Sequence, residues 1–473
     1  MYRHGVRSIR IAAIMALVVG LCWAAWHHYR YVFSHETIRE LQQTPVGGVV
    51  HLSGIVTGLD PVGGRFWLQD ETGAIAIGKS PRPLGVHIGE SITVEATKTA
   101  HYDPVVGPDS VALSKVKVVS IRGLVQLPQP LPVTPVDFPA GDRSDIRVQM
   151  TAIVRGIQTD ADSRVHLVVA DLPKRTEIVL PGPSAPFSQL VDAKVRVIGV
   201  PEAVRGESGA TDQWIWVSSI DDIHVEEAAP RVLPLVSIRD IYSNQALMGG
   251  HRVRIRGSVA ATLSPTSLLL DDRWGAIECG ISSPREIPAG SAVEVMGFPS
   301  ADGLRIDILD AQATQIPLAQ LAGDKAAGAG IEELKTVKAV RELPQAQAGQ
   351  ALPVRISGVI TFFDSDWGQL YLQDATGGIY VKYSGAPSEL RVGEKVLLVG
   401  LTNAGNFAPA IVAPKFQDQG NAPLPRPLPV TALEASAGIR DSQRVEVEGV
   451  IHPIQRGDFR SLAESRHLTF ELY

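Results

Sequence analysis

The chain has 473 residues, and its 44 Lys+Arg against 50 Asp+Glu leave a net charge of −6. That length holds about three to five domains, and the acidic balance argues against a protein that grips nucleic acid by neutralising phosphates. With 45% hydrophobic and 20% charged residues it is no disordered chain; 44 Gly and 33 Pro predict many turns and a β-rich fold, and two cysteines exclude a disulfide framework or a Cys-rich zinc site.

From the N-terminus, Ile11 to Trp26 is apolar throughout, at the short end of the roughly 17–25 residues a spanning helix needs. Trp23, Trp26, Tyr29 and Tyr31 suit an interfacial aromatic belt, and Arg3, Arg7 and Arg10 precede the segment while Arg30 alone follows closely. The positive-inside rule then predicts a cytoplasmic tip and transmembrane anchor over 1–30, with the rest of the chain outside a bacterial inner membrane. The alternative is a cleaved signal peptide. Against it stand an apolar stretch longer than the usual ~7–15 residues and tryptophans where small residues would precede a cleavage site. Cys22 follows Leu21 and so makes a poor lipoprotein acceptor; a bridge from Cys22 to the distant Cys279 is not expected. His27-His28 reads as interfacial.

Beyond the anchor a pattern recurs about every hundred residues. Val50 to Val56 reads VHLSGIV, and its counterparts start at Val148, Val253, Val354 and Val445, centred on Gly54, Ala152, Gly257, Gly358 and Gly449. Each alternates apolar and polar residues, the mark of a half-buried strand. A second pattern follows: Leu68-Gln69-Asp70-Glu71-Thr72-Gly73 matches Leu372-Gln373-Asp374-Ala375-Thr376-Gly377, with a looser copy from Leu270 to Gly275. Asp-x-x-Gly between apolar runs predicts a hairpin turn. A third pattern begins at Gly89, Gly290 and Gly393. Motifs that hold this register define a repeat.

Each unit reads as five short strands, which closure into a small barrel would protect at their edges. The expectation is an all-β chain of tandem OB-like five-stranded barrels after one N-terminal transmembrane helix. The barrels fall at 46–122, 143–227 (diverged), 249–316 and 349–418, with an incomplete fifth begun at 441–473, so that the chain reads as a fragment. Pro-rich stretches at Leu127–Pro139, Ala229–Pro234 and Pro423–Pro429, and the Ala/Gly-rich 322–331, read as linkers. Lead-in segments 236–248 and 337–347 predict one helical turn each, packed on its barrel.

The fourth unit runs from Val354-Arg355-Ile356-Ser357-Gly358 through Trp367-Gly368-Gln369-Leu370-Tyr371-Leu372-Gln373-Asp374 to Gly377-Gly378-Ile379-Tyr380-Val381 and Val392-Gly393-Glu394. It resembles the extracytoplasmic OB-like modules that precede the membrane and kinase portions of some bacterial sensor histidine kinases. The similarity covers 335–418, extends to 46–122, and is weak elsewhere. It implies a sensory module. Any phosphoacceptor helix and ATP lid would lie beyond residue 473, so the chain itself carries no implied activity.

No His-Glu-x-x-His, Cys-x-x-Cys, Gly-x-Ser-x-Gly or phosphate-loop motif appears, so no catalytic residue, metal or cofactor is expected. Asp60, Asp364 and Asp366 follow the first strands, where turn chemistry outweighs a cation site. Trp67 and Tyr371 stand three residues before the hairpin aspartates, opposite the inward-facing leucines, and Tyr380 falls outward on the next strand. Trp67, Tyr371 and Tyr380 are therefore the candidate ligand-binding residues, on the face OB-folds often use; packing against a neighbouring barrel is the competing reading. The expected function is a membrane-anchored sensory or interaction array with a small-molecule or protein ligand and no nucleic-acid partner. The alternatives are a truncated histidine kinase and a nucleic-acid-binding OB protein.

Overall fold

A computed structural model describes residues 36–78, 84–100, 111–135, 137–138, 145–170, 175–182, 185–205, 211–283, 285–324, 331–365, 367–383, 390–452 and 471–472. The predicted anchor lies outside these residues; among those described, no helix is long and apolar enough to cross a membrane. The chain divides into two compact units, 1–229 and 230–473.

In the first unit, barrel 1 is built from β1 (Val49–Asp60), β2 (Arg65–Gln69), β3 (Ala74–Ile77), β4 (Glu90–Ala100) and β5 (Val111–Leu124), in the order β3-β2-β1-β4-β5. Barrel 2 follows β6 (Leu131–Val133), which runs parallel to β7 (Val148–Ile153); its first strand is broken into β7 and β8 (Gly156–Thr159). The remaining strands are β9 (Arg164–Ala170), β10 (Thr176–Pro181), β11 (Lys194–Arg205), β12 (Thr211–Trp216) and β13 (Ile223–Glu227). The break follows Ala152, the one anchor that is not glycine. β7 pairs with β11 and β8 with β9, so the two halves serve different edges.

In the second unit, barrel 3 comprises β14 (Val253–Ser264), β15 (Ser267–Asp271), β16 (Ala276–Ile281), β17 (Ala292–Asp302) and β18 (Arg305–Gln315). Barrel 4 comprises β19 (Pro353–Asp364), β20 (Gln369–Asp374), β21 (Gly377–Lys382), β22 (Glu394–Asn403) and β23 (Ala410–Asn421). Both close, in strand order 1-2-3-5-4, with the third and fifth strands parallel. This is the OB topology. The fifth repeat appears as β24 (Leu428–Pro429) beside β25 (Val445–Glu446), and β26 (Ile451–His452) beside β27 (Glu471–Leu472). Residues 453–470 of that repeat lie outside the described residues.

The repeated residues do two jobs. Gly54, Gly257 and Gly358 lie under a main-chain carbonyl of the neighbouring strand: a Cβ on Gly54 would come within 2.8 Å of the Gln69 oxygen and one on Gly358 within 2.9 Å of the Gln373 oxygen. Their requirement is close backbone approach rather than positive φ. The hairpin aspartates close their turns. Asp70 accepts from the Thr72 and Gly73 amides (2.7 and 2.9 Å), Asp272 from Trp274 and Gly275 (2.7 and 3.2 Å), and Asp374 from Thr376 and Gly377 (2.7 and 3.1 Å). The second oxygen of each takes the amide of a lead-in residue: Ile38 at 2.7 Å, Ile238 at 2.8 Å and Val337 at 2.9 Å. The lead-in segments are helical at Ile238–Ser243 and Val337–Arg341, and they bury Ile238, Ile241, Val337 and Val340 over the barrel ends.

Leu68, Leu270 and Leu372 are fully buried, as period-two alternation requires. Because a methyl group at residue 358 would also strike the Leu372 side chain, Gly358→Ala should destabilise barrel 4 by roughly 1–3 kcal/mol, the usual cost of overpacking. Chemical denaturation of the full chain, monitored at barrel 4 by hydrogen exchange, checks this; unchanged protection of β19 and β20 would contradict it.

Candidate interaction surfaces

Trp67 points outward from barrel 1, yet it is closed to solvent. It packs with Val179, Val200 and Trp216 of barrel 2, its ring 5.9 Å from that of Trp216, with Trp214 a further 5.6 Å along. The alternating Gln-Trp-Ile-Trp run of β12 places both tryptophans on one side while Ile215 fills the barrel 2 core. Around this cluster runs an ionic ring. Arg65 makes a bidentate pair with Glu202 (2.6 and 2.9 Å), reaches Asp60 at 3.3 Å, and lies 4.4 Å over Trp216. Glu202 also accepts the Trp216 indole N–H. Leu59 and Ser218 exchange two hydrogen bonds across the same junction. Trp67 is thus a docking residue, and an open ligand platform at this position is corrected: barrel 2 covers it.

The Trp67 indole donates to Asp145 at 3.1 Å. Asp145 sits at a positive φ of 66° and also accepts from the Ala76 amide. Burial, reinforced by the Glu202 charge, pushes its carboxyl up to about 7. Nearby, His166 is held between Glu177 (2.7 Å) and Asp160 (3.2 Å). Burial opposes its charge, but these two carboxylates prevail and raise its pKa.

Tyr371 and Tyr380 are directly paired across β20 and β21, rings 5.5 Å apart, with Phe362 5.9 Å from Tyr371. Both are half-buried. Burial raises both phenols, with Asp441 adding to the effect on Tyr371 and Tyr371 to that on Tyr380. The turn 441–444 lies on this face: Ser442 crowds Gly378, Arg341 pairs with Asp441 at 2.8 Å, and the Arg444 amide donates to the Gln373 side chain at 3.1 Å.

This arrangement repeats the barrel 1–2 junction. There the Arg147 amide donates to Gln69 at 3.0 Å. The Arg147 guanidinium caps the Pro128 carbonyl at 3.0 Å, as Arg444 caps Pro425 at 2.9 Å. Asp145 and Ser442, two residues before these arginines, both have positive φ. The preceding linkers, Leu127-Pro-Gln-Pro-Leu-Pro-Val-Thr134 and Leu424-Pro-Arg-Pro-Leu-Pro-Val-Thr431, differ at one position. That near-identity marks the junction in the sequence, where the two stretches read only as linkers.

A different surface lies between barrels 3 and 4, a cavity of about 770 Å³. Five cationic side chains line it, Arg239, Arg256, Arg273, Arg355 and Lys415, against Asp240, Asp271 and Asp272. The carboxylates have partners within the fold. Asp240 caps Ser237, Asp271 accepts from Ser258 and Lys415, and Asp272 holds its three amides. Trp274 is buried beneath two guanidiniums, Arg273 at 4.2 Å and Arg239 at 5.7 Å from its ring.

The turn aspartates offer nothing similar. Asp60 accepts from the Val62 and Gly63 amides and from Arg65, and Asp364 accepts from the Trp367 amide; Asp366 lies outside the described residues. Among the described residues no acidic or His/Cys cluster could hold a metal ion.

The fold and surfaces define a tandem OB-barrel protein in which barrel 1 docks on barrel 2 through Trp67 and Arg65 of its β2 strand. No family model matches the chain, and no curated protein matches it. It is similar to solved structures that include a murine DNA binding protein bound with ds DNA (10% identity, 36% of this chain and 99% of that one, TM-score 0.19). Another is a Replication Protein A heterotrimer bound to ssDNA (9% identity, 65% and 98%, TM-score 0.20). Scores of this size carry no argument about what this chain binds. The expected absence of a nucleic-acid partner is corrected at its premise: the net charge on which it rested is a whole-chain sum, and it hides the cationic side chains that line the cavity between barrels 3 and 4.

Because Asp145 has a raised carboxyl, its protonated form is the one the fold favours. Its contribution to stability is full below about pH 4, the unfolded value, and is lost as pH rises through about 7. Asp145→Asn keeps an acceptor for Trp67 and removes the titration. Between pH 4 and 7 the variant should lose a downward stability slope present in the parent, ending more stable at pH 7.5 by on the order of 1–3 kcal/mol. Parallel pH slopes for the two proteins in urea titrations would refute the assignment.

Proposed function

We propose that the chain is a non-catalytic interaction array, the extracytoplasmic input part of a signalling protein. The observation that carries this reading is the repeated junction. In barrel 1 the face that OB-folds often give to ligands is spent on holding the next barrel, and in barrel 4 the turn 441–444 occupies the same face through the same Gln–Arg–Pro contacts. Stacking of this kind fixes the geometry at each of the two junctions, which suits a protein that passes ligand or partner engagement from a barrel to the segment docked on it. The resemblance of 335–418 to the sensory modules of histidine kinases, and the apolar Ile11–Trp26 preceded by three arginines, support the extracytoplasmic placement. Alkaline phosphatase fused after residue 229 should be active in a bacterial host. An inactive fusion, with an active cytoplasmic reporter at the same site, would remove this reading.

A second reading, a nucleic-acid-binding OB array, is favoured by the cationic lining between barrels 3 and 4. A labelled dT20 titrated at 50 and 200 mM salt separates the two: saturable binding that falls steeply with salt would put nucleic acid first.

A further inference from the structure

We propose that the cavity between barrels 3 and 4 is a binding site for a small organic anion with an apolar body. Its volume, about 770 Å³, lies within the roughly 300–1,000 Å³ typical of small-molecule sites. The lining separates by chemistry. Leu318 and Leu321, on the helix Leu318–Asp324, and Ile331 beyond it supply apolar surface on one side. The guanidiniums of Arg239 and Arg273 supply the charged side, steadied over the Trp274 indole.

Three of the five lining cations have acidic partners. Arg256 pairs with Glu294 at 2.8 Å, Arg355 with Glu333 at 2.9 Å, and Lys415 with Asp271 at 3.4 Å. Arg239 instead donates its Nε to a neutral carbonyl, that of Ala351, at 3.0 Å. The carboxylates of Asp240 and Asp272 are committed to main-chain amides. What this leaves toward a ligand is the Arg239 guanidinium, a planar cation that matches a carboxylate geometrically. Both barrels contribute: Lys415, on β23 of barrel 4, donates to the Asp272 carbonyl at the tip of the barrel 3 hairpin. An occupant would touch both modules at once, and this site stands whether or not the array is extracytoplasmic.

The test uses the 473-residue chain and 8-anilinonaphthalene-1-sulfonate, an aromatic anion, read by fluorescence and calorimetry. Saturable one-to-one binding is expected, weakened about 10-fold in Arg273→Gln and in Leu321→Glu, and unchanged in Arg391→Gln, which lies outside this lining. Circular dichroism and melting of each variant show that the fold persists. The neutral probe 1-naphthalenemethanol should bind at least 10-fold more weakly than the anion. Non-saturable binding, equal affinity for the neutral probe, or insensitivity to both cavity substitutions would overturn the proposal. So would dT20 displacing the dye with a steep salt dependence, because the cavity would then serve a polyanion.

Discussion

A single carboxylate at the tip of the second hairpin organises barrels 1, 3 and 4. Asp70, Asp272 and Asp374 each use one oxygen to close their turn and the other to receive the amide of the lead-in segment. Hydrogen bonds to an ionised group are worth about 1.5–3 kcal/mol each, and here several converge on one residue. Burial nevertheless raises Asp272 against its three amides, so desolvation offsets part of the gain. The geometric result is larger than the energetic one: hairpin, barrel end and lead-in are locked together. In barrel 3 the lead-in helix carries Arg239 and Asp240 to the cavity rim, and the hairpin turn carries Arg273 and Trp274.

The two aromatic faces show how one backbone arrangement accepts different side chains. In barrel 1 a tryptophan meets two more from barrel 2, and the rim is sealed by Arg65 and Glu202 with a carboxylate fork. Partly buried ion pairs of this kind roughly balance their own desolvation and are better regarded as setting register than as adding stability. In barrel 4 Tyr371 stands at the place of Trp67, Tyr380 at that of Ala76, and Gln369 at that of Arg65. The main-chain part of the junction stays the same: glutamine to arginine amide, arginine to proline carbonyl.

The fold was largely legible in the sequence, because period-two alternation, close-approach glycines and Asp-x-x-Gly turns are local signals. The strands of barrels 3 and 4 run over Val253–Gln315 and Pro353–Asn421, and helical turns stand at Ile238–Ser243 and Val337–Arg341. Barrel 2 was less legible: without a glycine at Ala152 its first strand splits. The sites were harder still. The outward direction of Trp67, Tyr371 and Tyr380 follows from alternation, but whether an outward residue meets solvent or another barrel depends on partners far along the chain. Leu59 meets Ser218 across 159 positions. The cavity was invisible for the same reason: its charges come from a lead-in helix, a first strand, a hairpin and the last strand of the following barrel. Composition offered only their sum.

The arginine and proline of each junction are separated by 19 positions in both places. Because both contacts are made to the main chain, the span behaves like a standard screw thread: it fixes pitch and phase without regard to the material on either side. The same thread seats the following segment on barrel 1 and on barrel 4, although the facings differ, tryptophan with an arginine–glutamate fork in one and paired tyrosines in the other. The side chains on the face can change while the pitch is kept.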